Sequence, residues 1–159
     1  MIHIKDAVLR EKFIDMFLQY GKEIGTPDEY RNKDFIQEKY LDEPHLDKQF
    51  IYRGSELIGF LITEHVDHLR AGYIVELYIV PAYRRQKIAE RAVREYMNSG
   101  KDSVFFWYLM DGNEAGRMFW DHIAETERLV PYKFLPYLQK EIEAFGGEDF
   151  ETKAYRKAR

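Results

Sequence analysis

The stretch Glu76 to Met97, ELYIVPAYRRQKIAERAVREYM, constrains the fold more than any other part of the chain. Its first five residues suit a buried strand. Pro81 has no N–H to give to a ladder, so the strand stops there. From about Gln86 to Asn98 the apolar residues Ile88, Val93 and Met97 fall on a helix, and Ser99-Gly100 ends it. Ser103 to Leu109 follows as a hydrophobic strand. Strand, helix and strand in succession form a crossover, which makes the two strands parallel and the connection right-handed.

Around this unit the pattern is mixed α/β. A first helix, with Asp6 as its cap, places Leu9, Phe13, Met16, Phe17 and Tyr20 on one stripe and ends at Gly21. Thr26-Pro27-Asp28-Glu29 reads as a capping box that opens a second helix, which stops before Pro44. Gln49 to Arg53 and Leu57 to Val66, joined at Gly54-Ser55-Glu56, read as a hairpin. The strand that enters the crossover runs from Tyr73 to Val80. Tyr73, Val75, Leu77 and Ile79 share one face, and Ile74, Glu76, Tyr78 and Val80 share the other. Beyond the crossover, Asp111-Gly112 turns the chain and Asn113 to His122 is a short helix. Glu127 to Lys133 reads as a strand and Leu138 to Phe145 as a helix. No repeat or linker composition interrupts the chain before Gly146, and 159 residues suit one domain. Residues 1–145 form its body; residues 146–159 read as a last strand or a loose tail of the same domain.

Composition narrows the function classes. The chain has no cysteine, so no disulfide framework and no thiolate nucleophile or metal site. That suits a reducing, cytoplasmic setting. The N-terminal MIHIKDAVLREKF is charged and has no apolar h-region, so no signal peptide is expected. The longest apolar run, Val104 to Met110, is too short to span a bilayer. A net charge of −4 argues against a nucleic-acid binder. His65 and His68, three apart, point to opposite faces of an extended strand, so no metal site is expected.

Against that acidic background, five bases (Arg84, Arg85, Lys87, Arg91, Arg94) and one acid (Glu90) between positions 84 and 94 stand out. They sit where the free N–H groups of a helix start already favour an anion. Such a start ordinarily attracts Asp or Glu. A small polyanion would account for the bases; a solvated charged face is the plain alternative. The turn lacks both the Gly-Lys-Ser/Thr of a P-loop and the three glycines of a dinucleotide fingerprint.

The segment ELYIVPAYRRQKIAERAV resembles motif A of the GNAT superfamily of N-acetyltransferases. In that motif a strand and a proline precede Arg/Gln-x-x-Gly-x-Gly/Ala, matched here by Arg84-Arg85-Gln86-Lys87-Ile88-Ala89. The family's Asn-x-x-Ala/Gly-x-x-Phe-Tyr is similar to Asn113-Glu114-Ala115-Gly116-Arg117-Met118-Phe119-Trp120. The hairpin before motif A and the element order to about Ile123 also fit. The resemblance implies a single-domain GNAT-like fold with a mixed, mostly antiparallel sheet and a parallel strand-helix-strand unit at the cofactor site. It implies that Leu77, Tyr78 and Ile79 lie along the pantetheine of acetyl-CoA. Backbone N–H groups from Arg85 through Gln86, Lys87 and Ile88 to Ala89, with the Arg84 side chain, would hold the pyrophosphate. Asn113 and Phe119 would flank the thiol end. Arg91, Arg94 or Arg117 is assigned by charge alone to the 3′-phosphate.

The implied activity is transfer of acetyl from acetyl-CoA to a primary amine, of a small molecule or a peptide, by direct attack. Glu76, the one acid in its strand, is the candidate base, and Tyr108 a candidate acid. Ile79 N–H would steady the thioester carbonyl. Two positions depart from the family. Lys87 stands where Gly is usual; with a helical φ it still offers its N–H, in a slightly remodelled loop. Trp120 stands where many members carry a Tyr that protonates the departing thiolate, and an indole is no practical acid. That departure keeps open a non-catalytic acyl-CoA-binding sensor or scaffold. Expected partners are the amine and acetyl-CoA, with no metal, nucleic acid or membrane, and with a homodimer left open.

Overall fold

The computed structural model describes residues 7–158. It is α/β, with a six-stranded mixed sheet of order β1-β2-β3-β4-β6-β5. The strands are β1 Asp47–Arg53, β2 Glu56–Val66, β3 Ala71–Ile79, β4 Val104–Met110, β5 Leu129–Pro131 and β6 Phe150–Lys157. The helices are α1 Ala7–Ile24, α2 Lys33–Ile36, α3 Ile88–Met97, α4 Glu114–Thr126 and α5 Pro136–Gly146. The β3-α3-β4 crossover is parallel, with Gly72 opposite Phe105 and Tyr73 opposite Phe106. The described chain forms two compact units: residues up to Ile62 with Glu76–Ile88, and Thr63–Val75 with residues from Ala89 onward.

The first unit is built on aromatic rings. Phe13 and Phe17 of α1 meet Phe60 of β2 at centroid distances of 5.1 and 5.3 Å. Phe13 and Phe60 are fully buried, and each such side chain stabilises the fold by about 1.5–3 kcal/mol. The β2–β3 approach is close: a Cβ on Gly59 would come within 2.4 Å of the Tyr78 carbonyl oxygen and 2.7 Å of the Ile79 side chain. Val80 N–H donates to Ile58 O at 2.8 Å, just before Pro81 ends the strand.

Two expectations in this unit are corrected. Gly21 does not end α1. It lies inside the helix, where the Arg31 side chain packs 3.2 Å from the place a Cβ would take. The helix closes at Gly25, with φ +74°, and Thr26 N–H returns to Gly21 O at 2.9 Å. Nor does the Thr26 box open a helix. Asp28–Tyr30 is one 3-10 turn. Asn32, in extended backbone, starts α2 by accepting Phe35 N–H at 2.9 Å. The chain then widens into a π-turn, Gln37–Leu41, closed by Asp42 N–H to Gln37 O at 2.8 Å. The Asp6 cap lies outside the described residues.

In the second unit Trp107 of β4 is stacked between Trp120 of α4, at 4.4 Å, and Tyr155 of β6, at 5.3 Å. On the alternate positions Phe106 stacks on Tyr73 at 4.9 Å and meets Phe134 edge-on. Of the two readings of the C-terminal stretch, the strand is what forms. β6 pairs antiparallel with β4 from Val104–Arg156 to Met110–Phe150, and with β5 on its other side.

Gly59→Ala should destabilise the protein by about 2–3 kcal/mol, because its methyl group meets backbone that cannot rotate away. Urea unfolding measures this, and an unchanged midpoint would mean that β2 and β3 sit further apart than described.

Candidate active site

The turn after Pro81 is braced by its side chains and by Tyr83 N–H to Val80 O and Arg84 N–H to Pro81 O, at 3.0 and 3.2 Å. Tyr83 O–H donates to Glu56 at 2.6 Å. Arg84 Nε donates to Ile79 O at 2.9 Å. The Arg84 guanidinium also pairs with Glu23 and lies over the Tyr78 ring at 5.4 Å. Gln86 Oε1 accepts from Arg53 at 2.9 Å. Among the described residues no protein acceptor takes the N–H of Arg85, Gln86, Lys87 or Ile88. Arg85 and Lys87 both have left-handed backbone, with φ +63° and +62°. A helical φ at Lys87 is therefore not what forms: lysine keeps the conformation that glycine would adopt freely, at a cost of about 1–2 kcal/mol. Successive N–H groups in such a turn make a concavity that suits an anion.

The bases of this segment divide. Arg84 is committed to Glu23 and Ile79. Arg91 pairs with Glu95 at 3.1 Å, and Arg94 with Glu90 and Glu127 at 2.8 and 3.0 Å. Arg117 pairs with Glu151 at 2.9 Å. Arg85 and Lys87 are exposed and, among the described residues, make no ion pair.

Glu76 lies on β3 before Leu77, Tyr78 and Ile79, in the same unit as the turn. It is partly buried, and its two oxygens take two phenols. Tyr20 of α1 donates to Oε2, and Tyr40 of the π-turn donates to Oε1 at 3.3 Å. Burial pushes its carboxyl up to about 7, while the two phenol hydrogen bonds pull the other way. Burial, with Glu76 beside it, raises Tyr40. Tyr78 is buried, gives its hydroxyl to Glu23 at 2.9 Å, and is pushed up to about 12, chiefly by burial. Sequence reasoning placed Tyr20 on the apolar stripe and passed over Tyr40 and Glu23. No pattern within one element marks them. Within the second unit β3 pairs with β4 at Gly72 and Tyr73.

The second unit holds the other predicted positions. Ala89 is the second residue of α3. Asn113 caps α4, its Oδ1 accepting Gly116 N–H at 2.9 Å. Phe119 meets Trp120 edge-on at 4.9 Å. Tyr108 donates its hydroxyl to Ile142 O at 2.7 Å and is pushed up to about 12 by burial. Each change makes it a weaker proton donor. His65 lies between Asp102 and Asp67, at 2.8 and 3.0 Å, and His68 pairs with Glu141 at 2.8 Å. The two histidines thus face different carboxylates. Among the described residues no three or more His, Asp and Glu side chains are grouped to hold a metal ion, and no helix is long and apolar enough to cross a membrane.

Comparison with known proteins places this geometry. A family profile described as the acetyltransferase (GNAT) family matches residues 10–123. The chain belongs to the GNAT family of acetyltransferases. Solved structures share the fold. Tetrahymena GCN5 has a TM-score of 0.65 at 12% identity, over 96% of this chain and 89% of its own. The diaminobutyrate acetyltransferase EctA of Paenibacillus lautus, solved with L-2,4-diaminobutyric acid and coenzyme A, has 0.62 at 14%, over 92% and 90%. The PaiA N-acetyltransferase of Thermoplasma acidophilum, in complex with coenzyme A, has 0.60 at 16%, over 92% of each chain. At these identities the likeness is one of fold. No curated protein sequence matches the chain.

Two stability measurements test this site. Lys87→Gly relieves the left-handed strain and should stabilise the ligand-free protein by about 0.5–1 kcal/mol; a loss in urea unfolding would mean that the lysine side chain itself holds the turn. Burial raises the folded Glu76 carboxyl from 4.5 to about 7, so the folded state holds a proton that the unfolded state releases across that window. Its contribution to stability therefore falls as pH rises through the window. Glu76→Gln should gain about 2.5 kcal/mol on wild type between the two ends. Parallel pH curves would place the carboxyl in water.

Proposed function

We propose that this protein is an acetyl-CoA-dependent N-acetyltransferase that acetylates a primary amine, of a small molecule or a peptide, by direct attack. One observation carries the reading. Among the described residues, the N–H groups of Arg85, Gln86, Lys87 and Ile88 have no protein acceptor and the Arg85 and Lys87 side chains no ion pair, and they follow on the strand that bears a carboxyl pushed up to about 7. Acetyl-CoA fits this donor set, since a diphosphate is the anion that several convergent N–H groups and two cations suit. Coenzyme A in the Thermoplasma and Paenibacillus structures, and the diamine in the latter, support the same choice.

In this reading the N–H groups of Arg85 to Ala89 hold the diphosphate, with the Arg85 and Lys87 side chains adding charge. Arg84 shapes the turn. The backbone of Leu77, Tyr78 and Ile79 pairs with the pantetheine amides, and Ile79 N–H steadies the thioester carbonyl oxygen. Bound acetyl-CoA supplies the acetyl thioester. A lysine-like amine has a pKa near 10.4, so about one molecule in 2,500 is neutral at pH 7. Glu76 takes the amine proton. The nitrogen bonds the acetyl carbon as the carbon–sulfur bond breaks. The departing thiolate, from a thiol of ordinary acidity near 8.5, takes through water the second proton that the nitrogen sheds on becoming an amide. Trp120 in place of a tyrosine is compatible with that route.

The non-catalytic sensor is the second reading. It draws on Trp120 being stacked on Trp107 and on the Tyr108 hydroxyl being spent on Ile142.

Acetyl-CoA at 100 times its dissociation constant should add about 2.7 kcal/mol and raise the melting temperature by about 5–10 °C. No shift at millimolar acetyl-CoA would remove both readings. Given a shift, release of free CoA across a panel of amines separates enzyme from sensor. Glu76→Gln should lower kcat by about 100-fold or more while leaving acetyl-CoA affinity unchanged; full turnover would remove Glu76 as the base.

A further inference from the structure

We propose that Tyr20 and Tyr40 are positioning residues for Glu76, each donating a hydrogen bond to one carboxylate oxygen so that the carboxylate form is favoured and held in one orientation. The inference rests on Glu76 being the base.

The geometry is convergent. Tyr20 comes from the C-terminal half of α1, and Tyr40 from the π-turn Gln37–Leu41. They reach different oxygens of one carboxylate on a third element, β3. Both rings are fixed. Tyr20 packs on Phe17, Phe60 and Tyr78 at 5.5, 5.8 and 5.1 Å. Tyr40 packs on Phe17 at 4.4 Å. A hydroxyl among rings needs an acceptor, and a protonated carboxyl would offer a poorer one at one of its two oxygens. The π-turn inserts one residue relative to an α-turn and so rotates the later residues by about 100°. Tyr40 lies in that turn.

Among the described residues, the elements packed around Glu76 present the following groups. α1 gives Tyr20, and its Glu23 turns instead to Tyr78 and Arg84. The π-turn gives Tyr40. β2 gives the Phe60 ring, which packs on Tyr20. Two residues along β3, Tyr78 points its hydroxyl at Glu23. The two phenols are what opposes the desolvation of the carboxylate.

The test uses the full-length protein and its Tyr20→Phe and Tyr40→Phe variants. Each removes one oxygen and keeps the ring. The Glu76 carboxyl is titrated by carbon-13 NMR, with Glu76→Gln to identify its resonance. Deleting a bond to the charged form raises the midpoint, and the expected rise is about one pH unit per variant. The acidic limb of kcat/KM should rise by the same amount, with the high-pH plateau kept. A carboxyl midpoint that stays in place overturns the proposal and leaves Glu76 free to be the base. A midpoint that moves while the rate limb stays overturns Glu76 as base, and the proposal with it. If Tyr20→Phe does not fold, Tyr40→Phe alone reads the same quantity.

Discussion

The site hangs on the last ladder bond between β2 and β3. Val80 N–H reaches Ile58 O at 2.8 Å, and the next residue is a proline that cannot continue the ladder. Gly59 lets the two backbones close up beside it. Together they fix where the chain leaves the sheet. The turn after Pro81 then needs little freedom, and its side chains remove the remainder: Tyr83 to Glu56, Arg84 to Ile79 and Glu23, Gln86 to Arg53. These braces come from α1, β1 and β2, so the turn is overdetermined from three directions. That is the condition under which two non-glycine residues hold left-handed backbone, each at about 1–2 kcal/mol.

A different balance operates one turn of strand earlier. Taking a carboxylate out of water favours its neutral form; hydrogen bonds to its oxygens favour the ionised form. At Glu76 the first effect is larger, and the result lies near 7. Fully solvated, the group would be too weak a base to draw a proton from an amine near pKa 10. The two phenol hydrogen bonds pull it back toward the ionised form. The aromatic core of the first unit therefore serves two ends. It buries α1 against the sheet, and it sets how much water the carboxylate loses.

The helices and strands were legible because each announces itself within a few residues: the period of Ile88, Val93 and Met97, the stop at Pro81, the apolar run of β4. Glu76 and the basic turn were legible for the same local reason. The features that stayed hidden depend on residues far apart in the sequence. Gly21 looks like a helix stop unless one knows that Arg31 lies against it. The Thr26 box looks like a helix start unless Asn32 is known to supply a better one. Tyr20 sits on the apolar stripe, and its hydroxyl finds Glu76 56 residues later. Tyr40 has a partner 36 residues away, and a π-turn breaks the period that would have placed it.

The bases around α3 show how sequence can overstate a field. Five positive charges within eleven residues look like one anion site. Three of them, Arg84, Arg91 and Arg94, are answered by carboxylates of α1, α3 and the end of α4. Exposed pairs of this kind contribute at most about 1 kcal/mol each, so they are weak as stabilisers. They still cancel charge locally, and they hold Arg84 in place. In the proposed function, the attraction left for an anion comes from Arg85, Lys87 and the backbone N–H groups of their turn. Those two residues are also the ones with positive φ. A glycine at either position would free the backbone of strain but remove a charge from the place where the dipole of α3 already points outward. In this chain the loss of conformational ease and the gain in field are one choice, made twice within three residues.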